Sequence, residues 1–197
     1  MRLEPATSGD DVQRELALLE RNATHLRYFL PAIPTGLIQT PAYLRHVMTQ
    51  TSAFTGRDVE QVVAQKLERQ AVLEDLDKRF EFLLTESAIR CQLCETAPMV
   101  GQIEHLVSIS CLPNVDLKVL PLSVRVCEIP FNTFTLYDTS LATLEVFTGR
   151  VMLREETDIA YYERVFDHFA ERAYGGDSAR QLLAEWAESF QAVLTPW

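Results

Sequence analysis

Glu86 and Arg90 stand four residues apart directly behind the apolar alternation Phe80, Phe82, Leu84. In open α/β sheets ligands collect at the carboxyl ends of strands, and a carboxylate there is favoured by the N-terminus of the helix that follows. The spacing lets Glu86 and Arg90 pair on one helix face, and the plainer reading is a cap plus a surface ion pair. Gln102 on the next predicted helix and Glu145, set between Leu144 and Val146 in a predicted strand, are expected to point toward partly buried space. A buried carboxylate needs a partner, so Glu145 implies something that satisfies it. Gln39 lies in a proline-bounded loop too apolar for an ordinary linker. Gln39, Glu86, Arg90, Gln102 and Glu145 together suit a small-molecule or peptide site, where a few oriented polar groups line an apolar pocket. No residue is assigned a catalytic role.

Metal and nucleophile chemistry find little support. Cys91 and Cys94 have C-x-x-C spacing, but Cys111 and Cys127 are too far apart to supply the second close pair of a zinc site. The pair also falls at the end of the helix begun by Glu86, not at the helix start a thioredoxin-like motif requires, so buried or half-buried thiols are expected. Glu163, Asp167 and Glu171, with His168 beside them, could be drawn as a metal stripe; a solvated helix face is the simpler account. His25, His46, His105 and His168 all fall on predicted helices with no nucleophile nearby in sequence. None of the seven glycines forms a phosphate-binding loop or a nucleophile elbow. No metal and no cofactor are expected.

The elements that would carry these groups form an α/β (α+β) pattern. Residues 80 to 121 read as strand, helix, helix, strand with almost no spare loop, Thr85 and Glu86 starting the first helix. Upstream, Ser8 and Asp11 open a predicted helix over about 9 to 29 with Val12, Leu16, Leu19, Ala23 and Leu26 on one narrow stripe. That stripe packs on the core or, as a minority reading, forms a partner-helix or homodimer seam. PAIPTGLIQT cannot be helical; Thr40 then caps a helix with Pro41 first, and a third helix covers about 57 to 74, capped near Thr55. Downstream, strands are expected at 124 to 129, 133 to 138, 142 to 147 and 150 to 154, with a tight turn at Asp138, Thr139, Ser140. A helix starting at Thr157 and Asp158 has Ile159, Tyr162, Phe166, Phe169 and Ala173 inward and stops at Gly175 and Gly176; another runs over 178 to 193. The expected fold is a single, helix-rich domain with a mixed sheet of about four to six strands and helices packed around it.

With 197 residues, 47% of them hydrophobic, the chain can bury a proper core, and no linker divides it. Its apolar runs fall far short of the roughly 18 residues of a membrane span. The start MRLEPATSGDD is acidic and polar, unlike a signal peptide, so a cytoplasmic protein with no membrane contact is expected. Formal net charge is −10 with basic residues interspersed among acids, the wrong footprint for gripping phosphates. No direct nucleic-acid binding by this chain alone is expected.

Five blocks carry a resemblance: IPTGLIQTPAYLR (33–45), KLERQAVL (66–73), FEFLLTESAIR (80–90), LPNVDLKVLPL (112–122) and FTLYDTSLATLEVFTGRVMLRE (134–155). In order and spacing they resemble a widespread actinobacterial domain of unknown function, normally C-terminal to an Xre/Cro-type helix-turn-helix. The likeness covers roughly residues 15 to 192. It departs where Thr35 separates Pro34 from Gly36 and where Cys91 replaces a common aromatic. The resemblance implies the regulatory half of a transcriptional regulator, binding a small-molecule effector or a small partner protein. Residues 1–14 are then an N-terminal segment and 15–193 the effector- or partner-binding domain, the helix-turn-helix reader being absent from this chain, since such a reader needs about 60 residues. The alternative is a stand-alone enzyme of specialised metabolism using Glu86 or Glu145 as acid or base. An enzyme calls for a strongly shifted carboxylate or histidine in a closed cavity, an interaction domain for exposed apolar surface.

Overall fold

A seven-stranded mixed sheet runs through the molecule in the order β1-β7-β6-β5-β2-β3-β4. The computed structural model describes residues 2–5, 9–50, 58–147 and 149–192, with side chains from Gln13 onward. The strands are β1 (Arg2–Pro5), β2 (His25–Leu30), β3 (Arg79–Thr85), β4 (Val115–Leu120), β5 (Phe134–Tyr137), β6 (Leu141–Val146) and β7 (Gly149–Leu153). β2, β3 and β4 are parallel neighbours; β5, β6, β7 and β1 continue from β2 as antiparallel ones. The carboxyl ends of β2, β3, β4 and β6 and the amino ends of β5 and β7 therefore share one edge, called the rim below. The single α/β domain with a mixed sheet is as expected, the seventh strand coming from the segment before residue 15.

Both sheet faces are covered, which is why β2 and β3 are almost continuously apolar. On one face α5 (Thr96–Ile109) and α7 (Gly176–Ala192) pack against Leu26, Tyr28, Leu30, Phe80, Phe82, Leu84, Leu117 and Val119. On the other, Ile159, Phe166 and Phe169 of α6 (Glu156–Ala170) meet Phe29, Leu83, Phe134, Leu136 and Leu144. Arg27 of β2 latches α6 down: it donates to Glu163 at 2.6 Å, lies 3.9 Å from Asp167 and sits over the Phe166 ring. Two of the three acids of the expected solvated stripe are thus an anchor for the helix.

Three boundaries differ from expectation. α1 (Gly9–Asn22) stops short, and His25–Leu30 is the central strand β2, so His25 lies on a strand. The helix ends where the Lys78 ammonium donates to the carbonyls of Arg21 (2.7 Å) and Ala23 (2.6 Å). Asp138, at φ 50, then accepts from the Thr24 and His25 amides and opens the strand. α3 (Val59–Arg69) is capped by Asp58, whose carboxylate accepts from the Gln61 amide, and passes into a 3-10 turn at Gln70–Glu74; the expected caps Ser8 and Thr55 lie outside the described residues. Residues 124–129 are not a strand. Val124 and Val126 alternate inward against the α6 cluster, but the outer edge of β4 is already bridged by Tyr174 to Val119, and a strand without a partner has no ladder.

α2 (Pro41–Gln50) starts as expected, with the Thr40 hydroxyl accepting from the Tyr43 amide, and packs on α3 through Leu44, Met48, Val62 and Val63. α4 (Glu86–Arg90) follows β3 without a loop, the Thr85 hydroxyl accepting from the Ala88 amide. Gly176 begins α7 at φ +54, a conformation that favours glycine.

Candidate functional site

The rim is formed by the segments after β2, β3 and β4 and the β6–β7 turn. Gln39 and Gln102 meet there, but as scaffold. Gln102 is 2% exposed; its amide oxygen accepts from the Thr40 N–H and its amide nitrogen donates to the Ile38 carbonyl, both at 2.7 Å. Gln39, also buried, donates to the Pro34 carbonyl at 2.7 Å, its own carbonyl accepts from Gln70 at 2.8 Å, and its side-chain oxygen has no hydrogen-bond partner. Thr85 ties the start of the same loop to β3 by donating to the Pro31 carbonyl at 2.8 Å.

Glu86 and Arg90 pair as the helix spacing predicts, at 2.5 Å. The other Glu86 oxygen accepts from the Leu122 amide at 2.9 Å, so this carboxylate also fixes the departure of the long 121–133 segment from β4. Glu145 corrects the expectation of partial burial: it is exposed at the end of β6, its amide donating to the Thr133 carbonyl at 3.0 Å. The inward alternation of β6 belongs to Leu141–Leu144 and is over before Glu145, where the strand has run past the covering helices. The five residues share the rim and do not converge on one pocket. The cysteines are corrected too, since Cys91, Cys111 and Cys127 are exposed and only Cys94 is half-buried. The loop after α4 and the end of α5 give their thiols no covering element.

What the rim presents instead is apolar. Leu122, Ile129 and Phe131 on the 121–133 segment and Phe147 in the β6–β7 turn are each at least 64% exposed, with Val146 beside them. The 121–133 segment is held from beneath: Val124 and Val126 pack on the α6 cluster, and the Cys127 amide donates to His168 Nε2 at 3.4 Å. Sequence reasoning passed over these residues. Ile129 and Phe147 are the last residues of the strands expected at 124–129 and 142–147, while Leu122 and Phe131, the latter directly after Pro130, fall between expected elements.

A second polar feature lies inside, between α1, α3 and the sheet. Arg69 makes a two-pronged ion pair with Glu20 and donates to Gln13, while the Tyr28 hydroxyl donates to Glu20 at 3.3 Å. Thr135, Tyr137, Thr143 and Arg150 continue this buried polar layer across β5, β6 and β7. Burial, then the Glu20 charge, pushes the Tyr28 and Tyr137 hydroxyls up, Tyr137 to about 12, so both stay protonated donors at neutral pH. A cleft of about 260 Å³ between α1 and α3 reaches this layer at Glu20 and Arg69. Among the described residues no three His, Cys, Asp or Glu side chains could together hold a metal ion, and no helix is long and apolar enough to cross a membrane.

A family model described as "Domain of unknown function (DUF5753)" matches residues 13–185. No curated protein matches the chain. Among solved structures, Nuc from Salmonella typhimurium, a phospholipase D family member, aligns at 8% identity and a TM-score of 0.45, covering 83% of this chain and 90% of that one. NucT from Helicobacter pylori aligns at 12% identity and a TM-score of 0.46, covering 89% of this chain and 98% of that one.

Proposed function

From the premise that this chain belongs to the family of the domain of unknown function DUF5753, we propose that it is a non-enzymatic interaction domain which docks a small, basic partner protein on its rim. The observation that carries the reading is the set of exposed apolar side chains, Leu122, Ile129, Phe131 and Phe147, along the edge where α/β domains recognise partners. Large apolar and aromatic groups held on a braced segment are the usual anchors of a protein interface. A protein is favoured over a small-molecule effector because these side chains project outward. A basic one is favoured because a net charge of −10 steers cations. In a regulator of the Xre type, occupancy of the rim would be passed to a helix-turn-helix reader. Gln39, Gln102 and Glu86 act as the frame that fixes the loops, with Arg90 and Glu145 as polar residues at the edge of the interface.

The test is calorimetric titration with a partner found by two-hybrid selection from the source genome, followed by Phe131→Ser and Phe147→Ser. Each substitution is expected to weaken binding by about 30-fold, the magnitude of a hot-spot loss, with an unchanged melting temperature. Undiminished affinity in both variants overturns the assignment. So does a wild-type chain that is dimeric in light scattering and becomes monomeric in the variants, because the rim would then be covered by a second copy.

A further inference from the structure

The cleft between α1 and α3 carries opposite charge at its floor and at its mouth. Glu20, Arg69 and Lys78 form the floor, with side chains 2%, 7% and 7% exposed. Arg69 donates to Glu20 through Nε and one terminal nitrogen and to Gln13 through the other, three of the five N–H groups of a guanidinium. The Lys78 ammonium gives two of its three protons to the carbonyls of Arg21 and Ala23. The Asp75 carboxylate stays 4.0 Å from it, outside hydrogen-bond reach. Glu20 offsets only one of the two floor cations, so the floor is left with a net positive charge and, among the described residues, with more N–H donors than acceptors. Buried cations in that state need further oxygen acceptors. The mouth has the reverse sign: Glu68 and Asp75 stand there with a single cation, Arg21, and all three are exposed.

We propose that this cleft binds a small aliphatic α-amino acid as its zwitterion, carboxylate inward and ammonium outward. The carboxylate supplies the acceptors that Lys78 and Arg69 lack, and the ammonium meets Glu68 and Asp75. Lys78 and Asp75 are kept from closing on each other, the first by its two carbonyls and the second by the Asp77 amide, which it accepts at 3.1 Å. Two opposite charges held 4.0 Å apart match the adjacent opposite charges of a single α-carbon. A simple anion would be repelled at the mouth and a simple cation at the floor, which is how the cleft discriminates. Its volume, about 260 Å³, is below that of a drug-sized pocket, and Ala17, Ala71 and Val72 line it with small apolar groups suited to a short aliphatic side chain. Lys78 directly precedes β3, so the cleft opens at the amino end of that strand, away from the rim, and the site stands whether or not the rim docks a partner.

Thermal shift and calorimetry at constant ionic strength test this with L-alanine and L-valine. Each is compared with its two half-ligands, propionate and ethylammonium for alanine, isovalerate and isobutylammonium for valine. The wild-type chain is expected to show a saturable rise in Tm with at least one amino acid, and to bind either of its half-ligands about tenfold more weakly or worse, the loss of a charge-assisted hydrogen bond. Glu68→Gln combined with Asp75→Asn keeps the shape of the mouth and removes its negative charge. It should weaken the amino acid about tenfold and leave the carboxylate half-ligand no weaker. Ala71→Phe, at an exposed position of the lining, should fill the cleft and abolish the response. No saturable shift in the wild type, equal affinity for an amino acid and its half-ligand, or undiminished affinity in either variant overturns the proposal, as does a crystal grown in the responding amino acid that shows only ordered water in the cleft.

Discussion

Glu20 and Arg69 are the charges whose burial the fold must justify, with side chains 2% and 7% exposed. Removing one partner leaves the other uncompensated, so Glu20→Gln or Arg69→Met should each cost about 3–5 kcal/mol in urea unfolding. Replacing both by Leu and Met should cost less than either alone, because no orphaned charge remains. Asp138 makes the opposite kind of contribution, at a turn. Burial would raise its carboxyl, but hydrogen bonds from His25 and Thr24 outweigh that and hold it below the ordinary value. A depressed folded pKa stabilises fully above the unfolded value of about 3.9 and is lost as pH falls through the folded one. The Tm gap between wild type and Asp138→Asn should therefore be widest near neutrality and shrink as pH falls below the ordinary aspartate value; a gap independent of pH would show that the carboxylate's charge is not what opens β2.

The rim depends on two loops held in different ways. Residues 33–40 are pinned from inside by the amides of Gln102 and Gln70. Gln102→Leu strands the Thr40 N–H and the Ile38 carbonyl in a buried place and should cost about 1–3 kcal/mol. Hydrogen exchange should quicken at Thr40 first, leaving β3 protected. The 121–133 segment is held from outside by Glu86, and Glu86→Ala should speed exchange at Leu122 while lowering stability by no more than about 1 kcal/mol, since the Arg90 pair it loses is half-exposed. A collapse of Tm on either change would make these residues part of the core and not loop anchors.

For the molecule as a whole, net charge leads to a prediction about one partner class. A chain at −10, with its basic residues interspersed among acids along the sequence, has the wrong charge footprint for neutralising phosphates and releasing counterions. It should show no sequence-specific DNA shift at physiological salt when assayed alone, and a salt-resistant nanomolar complex with any short operator would contradict this. The same is expected of zinc: with C-x-x-C unsupported by a second pair, chelator should leave the melting curve unchanged.

Local pattern was enough for the elements whose partners are near in sequence. β3 running into α4, the Thr85 and Thr40 caps, the Asp138 turn, the inward face of α6 and the Glu86–Arg90 pair all follow from alternation, capping and i,i+4 spacing, which act within a few residues. Where α1 ends was beyond that range, because the apolar stripe runs on through Leu26 and the stop is imposed by Lys78 and by Asp138, 114 positions from Thr24. The strand expected at 124–129 failed for the converse reason: its alternation is real, but no neighbouring strand is there to pair with it. The buried Glu20–Arg69–Tyr28 layer joins three separate elements, and no spacing rule links them. The exposed rim residues read as core in the sequence, because hydrophobicity marks what can be buried and only the packing of the chain shows what has been left uncovered.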